Sequence, residues 1–111
     1  MTVPNLWWLL MYNRVEIARE FANAINGDKI IKIILFGSVA RGDDHEESDI
    51  DILIISNHRE DIDDIISEEI AWIMYDKQEL ISAHVINEDL FNKTKNFSFL
   101  TNVLKDGVPI G

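Results

Sequence analysis

The stretch "ILFGSVARGDDHEESDIDILII", Ile34 to Ile55, constrains this chain more than any other. An isoleucine-rich run ends at Gly37-Ser38, an acid-packed loop follows, and Asp49 and Asp51 then head a second apolar run. Apolar runs this short, β-branched and bounded by glycine and acids read as strands. Period two along a strand puts Asp49 and Asp51 on one face, roughly 6–7 Å apart between Cα atoms, with Ile50 and Ile52 turned into packing. Two carboxylates on a buried strand repel each other and lose hydration, which implies a positive charge between them.

A hard divalent cation such as Mg²⁺ suits that place. It takes few oxygens from protein and leaves positions for substrate phosphates and water. Two such metals activate an attacking oxygen and stabilise a leaving pyrophosphate. Read alone, the pair also fits an ordinary strand start after a solvated "GDDHEE" loop. An EF-hand is excluded, because its glycine and terminal glutamate are missing at the required offsets. Gly37-Ser38 opens a short helical turn through Ala40 and Arg41. Backbone N–H groups at such a turn bind phosphate oxygens, glycine permits close approach and serine adds a hydroxyl donor. No Gly-Lys-Ser/Thr follows, so this is not a Walker A loop, and a Gly-Ser pair by itself marks many ordinary turns.

Around this motif the chain reads as one domain, residues 1–111. There is no internal repeat, low-complexity tract or linker. Asn13 to Asn26 carries Ile17, Phe21, Ala24 and Ile25 at helical spacing, with Gly27 as a stop. Strands are expected at Lys29 to Phe36, Ser48 to Ile55 and Glu79 to Ile86. The second is apolar on both faces beyond its acidic head, as a central strand must be. Ile62, Ile66, Ile70 and Ile73 form the apolar stripe of a helix over Arg59 to Asp76, and "NEDLFNKT" and "FSFLTNVLKDG" read as short closing helices. The class is therefore α/β or α+β, a small mixed sheet packed by helices.

The spacing Gly37-Ser38, ten residues, Asp49-x-Asp51 resembles the DNA polymerase β-type nucleotidyltransferase superfamily, and "FGSVARGDDHEESDIDILI" is similar to its minimal nucleotidyltransferase branch. The resemblance implies a palm-like nucleotidyltransferase fold. It implies that Gly37 and Ser38 contact the nucleotide phosphates, that Asp49 and Asp51 are the catalytic Mg²⁺ ligands, and that ATP or another NTP is the substrate. Arg41 matches the family's Ala-Arg-Gly, and is either a phosphate contact or, the favoured reading, an ion-pair partner of the surrounding acids. The family's third carboxylate, the base for the incoming hydroxyl, has no counterpart in "ELISAHVI". Ser82 and His84 share one face of that strand. His84 is either a base near neutral pH or simply a packed residue, and Glu79 is expected to be a solvated strand end.

Only 25 residues follow Ile86, too few for an acceptor-binding second domain, so the acceptor is expected on another chain. The resemblance implies a small helical partner of the HEPN type, this chain being the antitoxin and the partner a ribonuclease toxin. Charge agrees. Twenty acidic residues against ten basic give a net charge of −10, which argues against nucleic acid or an anionic membrane as direct partner and favours a basic protein. A homodimer or hetero-oligomer is compatible, and "LWWLLMY", Leu6 to Tyr12, is either core packing of a longer first helix or an interface. That run is short and has no charged leader or cleavage site, so neither a signal peptide nor a membrane span is expected. With no cysteine, a reducing cytoplasm is the expected location. Three functions remain: nucleotidyl transfer to a hydroxyl of the partner, inhibition of the partner by tight association with a weakened nucleotide site, and, less favoured, transfer to a small molecule such as an aminoglycoside.

Overall fold

The computed structural model describes residues 6–111, with side chains from Arg14 onward. The described elements run α1 (Leu6–Ile25), β1 (Lys32–Phe36), α2 (Gly37–Arg41), β2 (Ile50–Ile55), α3 (Arg59–Lys77), β3 (Ile81–Ile86), α4 (Glu88–Thr94), α5 (Ser98–Asp106) and β4 (Val108–Pro109). The sheet order is β3-β2-β1-β4, with β2 antiparallel to β1 and parallel to β3. This is the mixed sheet with helical packing that the sequence implies. Among the described residues no helix is long and apolar enough to cross a membrane.

β2 is the central strand, and both of its faces are covered. Ile50, Ile52 and Ile54 join Ile33 and Leu35 of β1 on one face, under Ile17, Ala18 and Phe21 of α1 and Ile62, Ile66 and Ile73 of α3. Leu53 and Ile55 join Ile34 and Phe36 on the other, under Leu100 and Val103 of α5. Each fully buried isoleucine contributes about 1.5–3 kcal/mol, so these strands tolerate a costly polar residue at one end. By the same alternation Asp51 lies on the α5 face.

Element boundaries differ from expectation where polar turns take over. β1 starts at Lys32 rather than Lys29, because the Ile30 N–H donates to the Gly27 carbonyl at 3.1 Å and closes a turn. β2 starts at Ile50 rather than Ser48. The Ser48 N–H reaches the His45 carbonyl at 2.9 Å and Ser48 Oγ accepts the His45 N–H at 3.0 Å. β3 starts at Ile81 rather than Glu79, after Gln78 ends α3 in a left-handed conformation with φ 56°. The helix α1 begins well before Asn13, at Leu6. Whether the aromatic side chains of Leu6 to Tyr12 serve core or interface lies outside the described residues. β4 was not expected from two residues. It exists because Gly107 lets the chain pass directly over Ile34, where a Cβ would collide, and delivers Val108 opposite Leu35.

A buried arginine fastens the acidic loop between α2 and β2. Arg14 lies on the inward face of α1, 2% exposed. Its Nη1 donates to Asp44 Oδ2 at 2.8 Å and to the His45 carbonyl, its Nη2 donates to the Glu46 carbonyl at 2.7 Å, and its Nε donates to the Glu79 carboxylate at 3.2 Å. Burial works against the guanidinium charge, but the hydrogen bonds and attraction of Asp44 and Glu79 outweigh it and raise the Arg14 pKa. Glu79 is thus an ion-pair partner rather than a solvated strand end. One side chain ties α1, the loop and the approach to β3 together. Arg14→Leu leaves the buried Asp44 carboxylate without this partner, and is expected to cost about 3–5 kcal/mol in urea unfolding.

Candidate functional site

Asp51 is the centre of the candidate site. In the sheet it stands opposite Phe36 of β1 and Ser82 of β3. Immediately after Phe36 the chain turns from strand into α2 at Gly37, whose φ of 74° is open to glycine and strained for other residues. The Asp51 carboxylate packs against this glycine, and a Cβ at position 37 would overlap it. Glycine at that turn is therefore required twice, once for the backbone and once for the aspartate.

Asp49 sits one residue before β2, exposed at the end of the acidic loop rather than inside the strand. Its charge still reaches Asp51. Burial first, then the negative charge of Asp49, push the Asp51 carboxyl above its ordinary pKa, while His84 and Arg41 pull it back. The two aspartates are thus close enough to oppose each other. Ser38 follows Gly37 in the first turn of α2, half-buried, and its carbonyl accepts from the Gly42 and Asp43 N–H groups at 2.9 and 3.1 Å. Arg41, at the other end of this short helix, pairs with Asp43 at 3.1 Å and Asp106 at 3.9 Å. The ion-pair reading of Arg41 is what the geometry shows.

β3 places no carboxylate beside Asp51. Ser82 occupies the opposite position and His84 the next one on that face, with His84 Nε2 3.4 Å from Ser82 Oγ. The His84 ring lies against Phe36 and Phe99, centroids 5.8 and 6.2 Å away. Among the described residues no group of three or more His, Cys, Asp or Glu side chains is gathered as a metal cage. The site offers a pair of hard oxygen donors, one of them half-buried against Gly37. That donor set fits a dication which keeps most of its coordination positions for phosphate and water.

Sequence reasoning missed Arg14 and Asp44. The signal was present, since Arg14 precedes Ile17 and Phe21 by three and seven residues and so belongs to the buried stripe of α1. The Phe36–His84–Phe99 cluster could not be read from spacing, because it joins three separate elements.

Two outcomes follow from this geometry. Gly37→Ala is expected to destabilise the protein by about 1–3 kcal/mol and to displace the Asp51 carboxylate, read as lost affinity for magnesium nucleotide in calorimetry. The raised Asp51 pKa means that the folded state holds this proton more tightly than the unfolded one. The associated stability is present at acid pH and lost as pH rises through the folded value. In EDTA at neutral pH, Asp51→Asn therefore melts above wild type by up to a few degrees, and the gap closes as pH falls below the carboxylate range.

Comparison with known proteins agrees with the architecture. The nucleotidyltransferase domain family matches residues 15–108. A protein of Methanocaldococcus jannaschii named "Putative protein adenylyltransferase" is 44% identical over 99 residues, 86% of this chain and 95% of that protein. Among solved structures, a nucleotidyltransferase from Sulfolobus solfataricus, itself described as putative, aligns with a TM-score of 0.61 at 20% identity, covering 98% of this chain and 89% of its own. A toxin–antitoxin complex crystallised with AMP-PNP aligns at 0.52 and 20% identity, over 87% of this chain and 69% of that one. The two structures share the fold, and the family match and the sequence relative carry the assignment: the chain belongs to the nucleotidyltransferase domain family.

Proposed function

We propose that this chain transfers an adenylyl group from ATP to a hydroxyl on a partner protein, as the cytoplasmic antitoxin of a pair whose other member is a HEPN-like helical toxin, with residues 1–111 acting as one domain. The observation that carries the reading is the Asp51 carboxylate, held against Gly37 with the charge of Asp49 beside it. An arrangement that destabilises the empty protein makes sense where a cation is meant to sit. The name of the 44%-identical relative supports adenylyl transfer to protein. The fold shared with a toxin–antitoxin complex holding AMP-PNP supports a protein partner and a nucleotide.

In this reading Asp49 and Asp51 hold Mg²⁺, and Gly37 and Ser38 contact the triphosphate. The metal, when bound, supplies positive charge that offsets the phosphates and the developing pyrophosphate. The acceptor oxygen forms its bond to the α-phosphorus as the bond from that phosphorus to the β-phosphate oxygen breaks, and pyrophosphate leaves. Burial of Asp51 against Gly37 fixes one carboxylate before substrate arrives, which lowers the cost of orientation at the reacting centre. A net charge of −10 favours encounter with a basic partner surface.

A second reading, inhibition by association alone, is favoured by one observation, the absence of a carboxylate on β3 opposite Asp51. The experiment that separates them is incubation with ATP, Mg²⁺ and a HEPN-like helical partner protein, followed by intact mass measurement. Transfer predicts a gain of one adenylyl group on the partner, abolished by EDTA and by Asp51→Asn. If Asp51→Asn neutralised the partner as well as wild type, with no mass gain in either, association alone would be the function.

A further inference from the structure

Transfer to a hydroxyl requires that its proton go somewhere, and most acids around Asp51 are already committed. Asp49 and Asp51 face the cation site. Asp44 and Glu79 bind Arg14, and Asp43 and Asp106 bind Arg41. On β3, the strand beside Asp51, His84 is the titratable side chain among the described residues. It is exposed, two residues along from the Ser82 position that pairs with Asp51. Its charge is felt at Asp51, though the two are not in ion-pair contact. The ring is not loose. Phe36 at the end of β1 and Phe99 on α5 lie against it, and their own rings meet edge-on at 6.0 Å. Ser82 Oγ lies 3.4 Å from His84 Nε2, so a hydroxyl beside Asp51 is within the reach of this nitrogen.

We propose that His84 is a catalytic residue, the general base that receives the proton of the acceptor hydroxyl. The inference rests on the transfer reading above and goes beyond it by naming where the proton goes. As the acceptor oxygen bonds to the α-phosphorus and pyrophosphate leaves, the hydroxyl proton passes to His84 Nε2. The resulting imidazolium then returns it to solvent. The Phe36 and Phe99 rings, tilted and edge-on against it, restrain the imidazole, and its exposure lets solvent stabilise the imidazolium once formed. Arg41 opposes it, with its charge partly spent on Asp43 and Asp106.

The test uses the full chain with ATP and Mg²⁺ and two small acceptors at high concentration. One is a simple phenol, neutral at the assay pH, and the other is a polyfluorinated phenol already ionised there. The second needs no base. His84→Gln is expected to slow turnover with the neutral phenol by about 10²–10³-fold, in kcat rather than KM. Turnover with the ionised phenol should stay within a few-fold, and calorimetric affinity for magnesium ATP should be unchanged. His84→Asp restores part of the lost rate. Equal loss with both phenols, or no loss with either, overturns the assignment of His84 while leaving transfer itself intact. Failure of the wild type to use either phenol despite binding nucleotide overturns the assignment of His84 as a base for a free hydroxyl and leaves transfer to be decided by the partner's mass gain, and failure to bind nucleotide overturns both.

Discussion

The buried guanidinium of Arg14 is the contact on which the geometry of this molecule depends. A loop carrying Asp43, Asp44, Glu46, Glu47 and Asp49 would otherwise repel itself into solvent. Arg14 draws it down by binding Asp44 and the His45 and Glu46 carbonyls, and extends the same head group to Glu79 just before β3. The end of that loop is Asp49, and the strand that follows delivers Asp51. Placement of the aspartates is therefore decided from the opposite side of the sheet, by a residue of α1 that has no part in the chemistry. Such a buried pair is poor as a source of net stability and good as a device for specifying one arrangement.

The site opposes stability where the core supplies it. Ile50, Ile52, Leu53 and Ile54 are wholly buried around an aspartate that burial and a like charge push toward its neutral form. Hydrophobic cost-sharing of this kind is how a strand carries a functional carboxylate at its end. Gly37 completes it. Its missing side chain is the space Asp51 occupies, so the turn after β1 and the acid on β2 are two halves of one fitted contact.

Much of this was legible in the residues. The isoleucine periodicity of α3 and the central character of β2 follow from local pattern. The missing acid on β3 was visible too, as Ser82 and His84 in "ELISAHVI". What escaped was whatever depends on distant partners. Glu79 looks like a strand end because its arginine lies 65 residues away. β4 has only two residues and no pattern, and exists through the close approach of Gly107 to Ile34. The position of Asp49 outside the strand reflects a turn closed by Ser48 and His45, whose hydrogen bonds outweigh the alternation that favoured a longer strand.

The parallel pairing of β2 with β3 has a kinetic meaning. Asp51 and Ser82 are neighbours across strands yet stand 31 positions apart in the chain, with the whole of α3 between them. Closing that crossover is slow relative to forming a hairpin, since chain entropy is lost before the non-local contacts are gained. The β1–β2 hairpin, with Gly37 and both aspartates, can assemble while the imidazole is still elsewhere. The face of the sheet that carries Asp51 is therefore complete only once the α3 crossover has closed and brought β3 alongside.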